Sequence, residues 1–117
     1  RSVSSMPAGE KRIKEWSALN MVIAENNAKG IIESDGVFAV LDGCDVDSGT
    51  AAEIGYASAS GKIITAYRGD FRFAGDNEGS VVNLQVAWFI ENSGGRITSS
   101  LDEAAEEIKK LFVTSWI

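Results

Sequence analysis

At 117 residues the chain has the length of one domain with a real core, and its 44% hydrophobic content excludes a disordered polymer. Its 17 acids against 11 bases leave a net charge of −6, with no basic cluster beyond Glu10-Lys11-Arg12 and Lys109-Lys110. Phosphate backbones need a positive footprint, so polymeric nucleic acid is excluded as an expected partner and a small, nearly neutral ligand is favoured.

Histidine is absent and Cys44 is the only cysteine. The commonest general base, the commonest metal ligand and every Ser-His or Cys-His pair are thereby removed, so any chemistry falls to carboxylates. A single cysteine forms neither an internal disulfide nor a cysteine-rich zinc site, and no cofactor is implied. No charged-then-apolar leader opens the chain, and no apolar run approaches the roughly 18 to 20 residues that span a bilayer. A cytoplasmic protein without a membrane partner is the expectation.

In chain order, residues 1–17 read as a loose lead-in and residues 18–117 as an α/β domain. Ala18 to Ser34 reads as a helix. Val37 to Leu41 is a continuous apolar run ending in Asp42-Gly43, the pattern of a strand buried on both faces. Thr50 to Ser60 is an alanine-rich helix closed by Gly61. Lys62 to Tyr67 is a second buried strand, followed by a polar loop from Arg68 to Gly79 whose length points to function. Ser80 to Asn92 carries Val82, Val86, Phe89 and Ile90 on one helical stripe. Gly94-Gly95 ends it, and Arg96 to Thr98 is a short strand. Ser100 to Glu103 is a capping box that opens a last helix, with Leu101, Ala104, Ala105, Ile108, Leu111 and Phe112 on one face.

Alternating strands and helices imply a parallel sheet with ligands beyond the carboxyl ends of its strands. Three strands leave edges that such sheets normally hide, so further strands or a partner subunit are expected to cover them. The loops after Leu41 and Tyr67 are the places to look for a site.

The segment from Asp45 to Ala57 runs from the first strand into the next helix. Glu53 sits there in the first helical turn, where backbone donors favour an ionised carboxylate suited to attack a glycosidic carbon. Asp47 stands in the preceding loop, placed to hydrogen-bond or protonate a departing base. The competing reading is structural: Thr50-Ala51-Ala52-Glu53 is itself a capping box, with Glu53 reaching back to the Thr50 backbone.

Val40-Leu41-Asp42-Gly43, then Asp47-Ser48-Gly49-Thr50-Ala51-Ala52-Glu53-Ile54-Gly55-Tyr56-Ala57 and Gly61-Lys62, resembles the nucleoside 2-deoxyribosyltransferase family. The resemblance continues through Tyr67-Arg68-Gly69-Asp70-Phe71-Arg72 and Val82-Asn83-Leu84, and covers the chain from about Ile23 onward. It implies a flavodoxin-like three-layer sandwich and a double displacement through a covalent deoxyribosyl-enzyme intermediate. By motif the family's nucleophile falls on Glu53 and its base-contacting aspartate on Asp47. Its asparagine supplied across a subunit interface falls on Asn83, which the periodicity puts at the margin of the apolar stripe, where an ordinary solvated asparagine also fits. Asp42 and Gly49 belong to the same matched stretch and join the substrate-binding set. Asn27 stands where the family has an aspartate near the sugar's 5′-hydroxyl; four residues from both Ile23 and Ile31, it is expected to share their apolar face. The family's first two strands have no counterpart in this sequence.

Arg72, in the loop after the second strand, is a candidate for steering a phosphate or pairing a pocket carboxylate, and equally a surface charge. Tyr56 is expected in the core. Cys44 is read as a bystander without a positive neighbour. Asp42, Asp45 and Asp47 share a loop but lack calcium-loop spacing, so no metal is expected. Trp16, Trp88 and Trp116 are either interface anchors of a homo-oligomer with shared active sites or core residues. Three functions compete: base exchange on 2′-deoxynucleosides, hydrolysis of nucleosides or their 5′-monophosphates by the same carboxylate, and a non-catalytic nucleoside-binding or assembly module.

Overall fold

The computed structural model describes residues 2–112, with the side chains of Leu111 and Phe112 excepted; the expectations for those two side chains and for Trp116 lie outside the described residues. The chain divides into two compact units, Arg1–Gly30 and Ile31–Ile117.

In the first unit a 3-10 turn at Val3–Ser5 leads into helix α1, Glu10–Glu33, whose last three residues belong to the second unit. The helix begins eight residues before the expected Ala18. Gly9, at a φ of 140°, accepts the Ile13 amide at 3.0 Å, and Glu10 suits the positive end of the helix. Apolar periodicity is weak over this first stretch, which hides it from a pattern reading. No residue of α1 is buried, and Ile13, Met21 and Val22 are each more than half exposed.

The second unit follows with β1 (Gly36–Val40), α2 (Ser48–Ala59), β2 (Ile63–Tyr67), α3 (Leu84–Asn92), β3 (Ile97–Thr98) and α4 (Leu101–Phe112). The three strands form one parallel sheet in the order β1-β2-β3, with Gly36 opposite Ile63 and Ala66 opposite Ile97. Alternation sends Ala39, Ile64 and Ala66 to one face, where they pack with Leu41, Ile54, Ala57, Val86 and Ile90 of the α2–α3 side. Thr65 points to the opposite face and is fully buried, on the side where α4 packs across β2 and β3 with Ala104 inward. Helices on both faces of a parallel sheet make the three layers of an α/β sandwich.

Strand β1 departs from expectation. Phe38 and Val40 are 43% and 52% exposed, so the run is covered on one face only. An apolar sequence states that both faces avoid water; it does not supply the layer that covers the second. Among the described side chains of α4 the buried ones are Ala104 and Glu107, while Leu101 and Ala105 are exposed. Glu107, which is not on the expected apolar face, is buried with its carboxylate held by Arg96 Nε at 3.3 Å. Ser100 caps α4 through the Glu103 amide at 3.1 Å, but the Glu103 side chain turns to Arg96 at 3.6 Å and leaves the capping box half made.

Among the described residues no helix is long and apolar enough to cross a membrane.

Candidate active site

The amino terminus of α2 is built by Asp47. Its Oδ2 accepts the Thr50 amide at 3.1 Å and faces the Thr50 hydroxyl at 3.4 Å, satisfying donors that a helix start leaves bare. Gly49 makes room for this: a Cβ there would stand 3.2 Å from Asp47 Oδ2. Two expectations are corrected by the cap. The helix starts at Ser48, so Glu53 is its sixth residue and lies in the second turn rather than the first. The Thr50 amide is already taken, so Glu53 has no capping box to complete.

What remains for Glu53 is a groove of about 210 Å³ that it lines with Thr50, Ile54 and the β1 residues Val37 to Val40. Glu53 is exposed, and among the described residues its carboxylate makes no hydrogen bond or ion pair. An unpartnered carboxylate beside exposed Phe38 and Val40 is a charge at the lip of an apolar slot. It is free to meet an electrophile.

The two loops at the carboxyl ends of β1 and β2 are tied together. Asp42 Oδ1 accepts the Gly69 amide at 2.6 Å and the Asp70 amide at 3.1 Å. Arg68, 3% exposed, donates Nη1 to the Leu41 carbonyl at 2.5 Å and Nη2 to the Arg72 carbonyl at 2.8 Å. Arg72 forks onto Asp70, with Nε to Oδ1 at 2.9 Å and Nη2 to Oδ2 at 2.5 Å, and its Nη1 reaches Cys44 Sγ at 3.1 Å. The side-chain hydrogen bonds from Arg72 hold the Asp70 carboxyl far below its ordinary range, and the same bonds raise the Arg72 guanidinium further. Cys44 therefore has the positive neighbour its sequence surroundings lack. Of the three clustered aspartates, Asp42 serves the β2 loop, Asp45 Oδ1 accepts its own neighbour's amide from Val46 at 2.7 Å, and Asp47 caps α2. Each has a local structural task.

Asn83 is the N-cap of α3 rather than a residue of its stripe. Its Oδ1 accepts the amides of Gln85 at 2.9 Å and Val86 at 3.3 Å, so the helix starts at Leu84 instead of Ser80. The residues before it pair as a short turn, Ala74 with Val81 and Gly75 with Ser80. Asn83 does not line the Glu53 groove. Asn27 is exposed on α1, so the buried amide expected there is corrected. Tyr56 is 45% exposed and is not core. Trp16 and Trp88 are 37% and 54% exposed, which removes the core alternative for both.

A larger cavity, about 730 Å³, opens at the β3 edge between α3 and α4, lined by Leu84, Trp88, Arg96, Thr98 and Glu103 among others. None of Glu53, Asp47 and Asp42 lines it. The candidate nucleophile Glu53 lines the smaller groove instead. The residue that sequence reasoning undervalued is Arg68. Its signal is a lone arginine directly after a buried strand, in Tyr67-Arg68-Gly69-Asp70.

Comparison with known proteins bears on this arrangement. No curated protein matches the chain. Among solved structures, the crystal structure of a conserved protein from Enterococcus faecalis V583 is 31% identical and superposes with a TM-score of 0.65, covering 91% of this chain and 69% of that one. Residues 5–85, which carry α1, both loops and Glu53, match the family described as nucleoside 2-deoxyribosyltransferase. With most of its length inside that match and the α/β sheet expected of it, the chain belongs to the nucleoside 2-deoxyribosyltransferase family.

Proposed function

We propose that the chain carries the nucleophile of an enzyme that cleaves the N-glycosidic bond of 2′-deoxynucleosides and passes the sugar to another base. A Glu53 carboxylate oxygen bonds to the anomeric carbon as the bond from that carbon to the base nitrogen breaks. The leaving base keeps the bonding pair and takes its proton from solvent, with the Asp47 carboxylate placed to accept a hydrogen bond from the base. A ring nitrogen of a second base then attacks the anomeric carbon and gives its N–H proton to solvent, as the bond from that carbon to the Glu53 oxygen breaks and the free carboxylate is restored. The observation that carries this reading is the division of labour on α2: Asp47 satisfies the helix end, which leaves Glu53 unpaired in its groove.

Asn83 supports a shared site in a homo-oligomer. Its Oδ1 is committed to α3, its amide nitrogen donates to no described residue, and the adjoining Leu84 and Trp88 are exposed. Asn27, which stands where the family pattern has an aspartate, is the proposed contact to the sugar. Phosphate is disfavoured on the substrate, because Arg68 is spent on two carbonyls and Arg72 on Asp70. A single cysteine, which forms no internal disulfide, agrees with a reducing compartment such as the cytoplasm.

A second reading, hydrolysis by the same glutamate, is favoured by the openness of the groove: Glu53, Phe38 and Val40 all meet solvent, and water competes as acceptor. The test is chromatography of the protein with deoxyinosine, alone and with adenine, beside Glu53→Ala. Deoxyadenosine formed only with intact Glu53 is the expected result. Free hypoxanthine without deoxyadenosine assigns the hydrolase. Undiminished turnover by Glu53→Ala overturns both.

A further inference from the structure

Arg68 is a buried cation in an acidic protein; its two Nη groups are paired while its buried Nε has no partner among the described residues, so the two Nη contacts carry the compensation for burying the charge. Its two Nη groups reach main-chain carbonyls on different segments, Leu41 at the end of β1 and Arg72 in the loop after β2, with Asp70 Oδ1 at 4.0 Å as the counter-charge. A planar fork serves two carbonyls at once; a lysine ammonium on a single stem does not reproduce that geometry. Around this fork the same two loops are joined twice more, by Asp42 to the Gly69 and Asp70 amides and by Arg72 to Cys44. Cys44 stands three residues before Asp47, and Asp47 fixes the start of the helix that bears Glu53.

We propose that Arg68 is a positioning residue: with Asp42 and the Asp70–Arg72 pair it latches the β1 loop onto the β2 loop, and the latch sets where the Asp47 cap and the first turns of α2 stand. Glu53 is thus aimed at its groove by a cation that it does not touch. The consequence for turnover rests on Glu53 being the nucleophile; the latch itself does not.

Amide hydrogen exchange, read by NMR on the full chain, separates the two. In Arg68→Met the Gly69, Asp70 and Thr50 amides are expected to exchange at least about tenfold faster, while core amides of β2 keep their protection, the pattern of local opening. Arg68→Lys should fall between the two. If the Arg68 variants do not fold, Asp42→Ala cuts the latch at its exposed side, and the Thr50 amide is again the reporter. A Thr50 amide that exchanges at its original rate in these variants, or a uniform acceleration across core and loops, overturns the latch. Where the unaltered chain turns over nucleosides, Arg68→Met should lower kcat while KM stays within about threefold, because a misaimed nucleophile costs the chemical step more than binding. A chain that turns over nothing refutes the proposed function and leaves the exchange result to decide the latch.

Discussion

In the loops after β1 and β2 the charged groups are largely paired: Asp42 with two amides, Arg68 through both Nη groups with two carbonyls while its Nε has no described partner, and Arg72 with both oxygens of Asp70 in its own loop. A short way along the same chain, in the groove beside β1, the Glu53 carboxylate meets no described partner. The contrast separates two uses of charge in one small α/β unit. Paired groups fix backbone and contribute stability, whereas an unpaired carboxylate contributes nothing to the fold and is available to a ligand. Substitutions should therefore fall into two classes with little overlap.

The largest expected effect is at the unpaired end. Glu53→Gln keeps size and polarity while removing the negative charge, and turnover of deoxynucleosides should fall by about a thousandfold or more, as for loss of a nucleophile. Its unfolding free energy should stay within about 0.5 kcal/mol of the parent, as for an exposed side chain without partners. Denaturant unfolding and the chromatographic assay on one sample check both halves. A large loss of stability with activity retained would place Glu53 among the structural charges and erase the contrast.

Next in size are the caps. Asp47→Ala removes the acceptor for the Thr50 amide and should cost about 1 kcal/mol, while Asp47→Asn, which keeps an acceptor oxygen, should cost only a few tenths. If Asp47→Asn nevertheless loses turnover with stability intact, then Asp47 belongs to both classes, structural through Oδ2 and chemical through its charge. Equal loss of stability in the two variants would show that the cap is not what Asp47 supplies.

The sequence carried more of the fold than of the site, for reasons visible in particular residues. Strand β2 and the α2 and α4 helices follow from apolar runs, alanine content and end signals within a few residues of one another. The start of α3 was misplaced because Val82 fits the helical stripe by spacing while belonging to the loop, and because the cap at Asn83 is a local hydrogen bond that periodicity does not encode. The second face of β1 was misjudged because Phe38 and Val40 are as apolar as Val37 and Ala39. Glu53 and Asp47 were legible as a motif, but their division of labour was not, since Asp47 and Thr50-x-x-Glu53 offer two caps for one helix end and only geometry chooses. Arg68 was the least legible: its partners at Leu41 and the Asp42–Gly69 contact lie 27 residues apart in sequence.

The smallest effect sharpens the paired side alone. Hydrogen bonds from Arg72 depress the folded-state pKa of Asp70 well below its ordinary 3.8. A carboxyl with a depressed folded pKa binds fewer protons in the native state than in the unfolded state once pH falls towards that ordinary value. Its contribution is therefore fully present above about pH 4 and is lost as pH falls through the folded value. Arg72→Gln should flatten this acid limb, so that parent and variant differ most at neutral pH and converge on acidification. Glu53→Gln should leave the Asp70 contribution to that limb in place, because Glu53 has no paired state to lose. Parallel acid titrations of unfolding midpoint for the three proteins test the assignment. If Arg72→Gln keeps the parent's acid slope, the Asp70–Arg72 fork does not supply that pH dependence, and the loops hold through Arg68 and Asp42 without it.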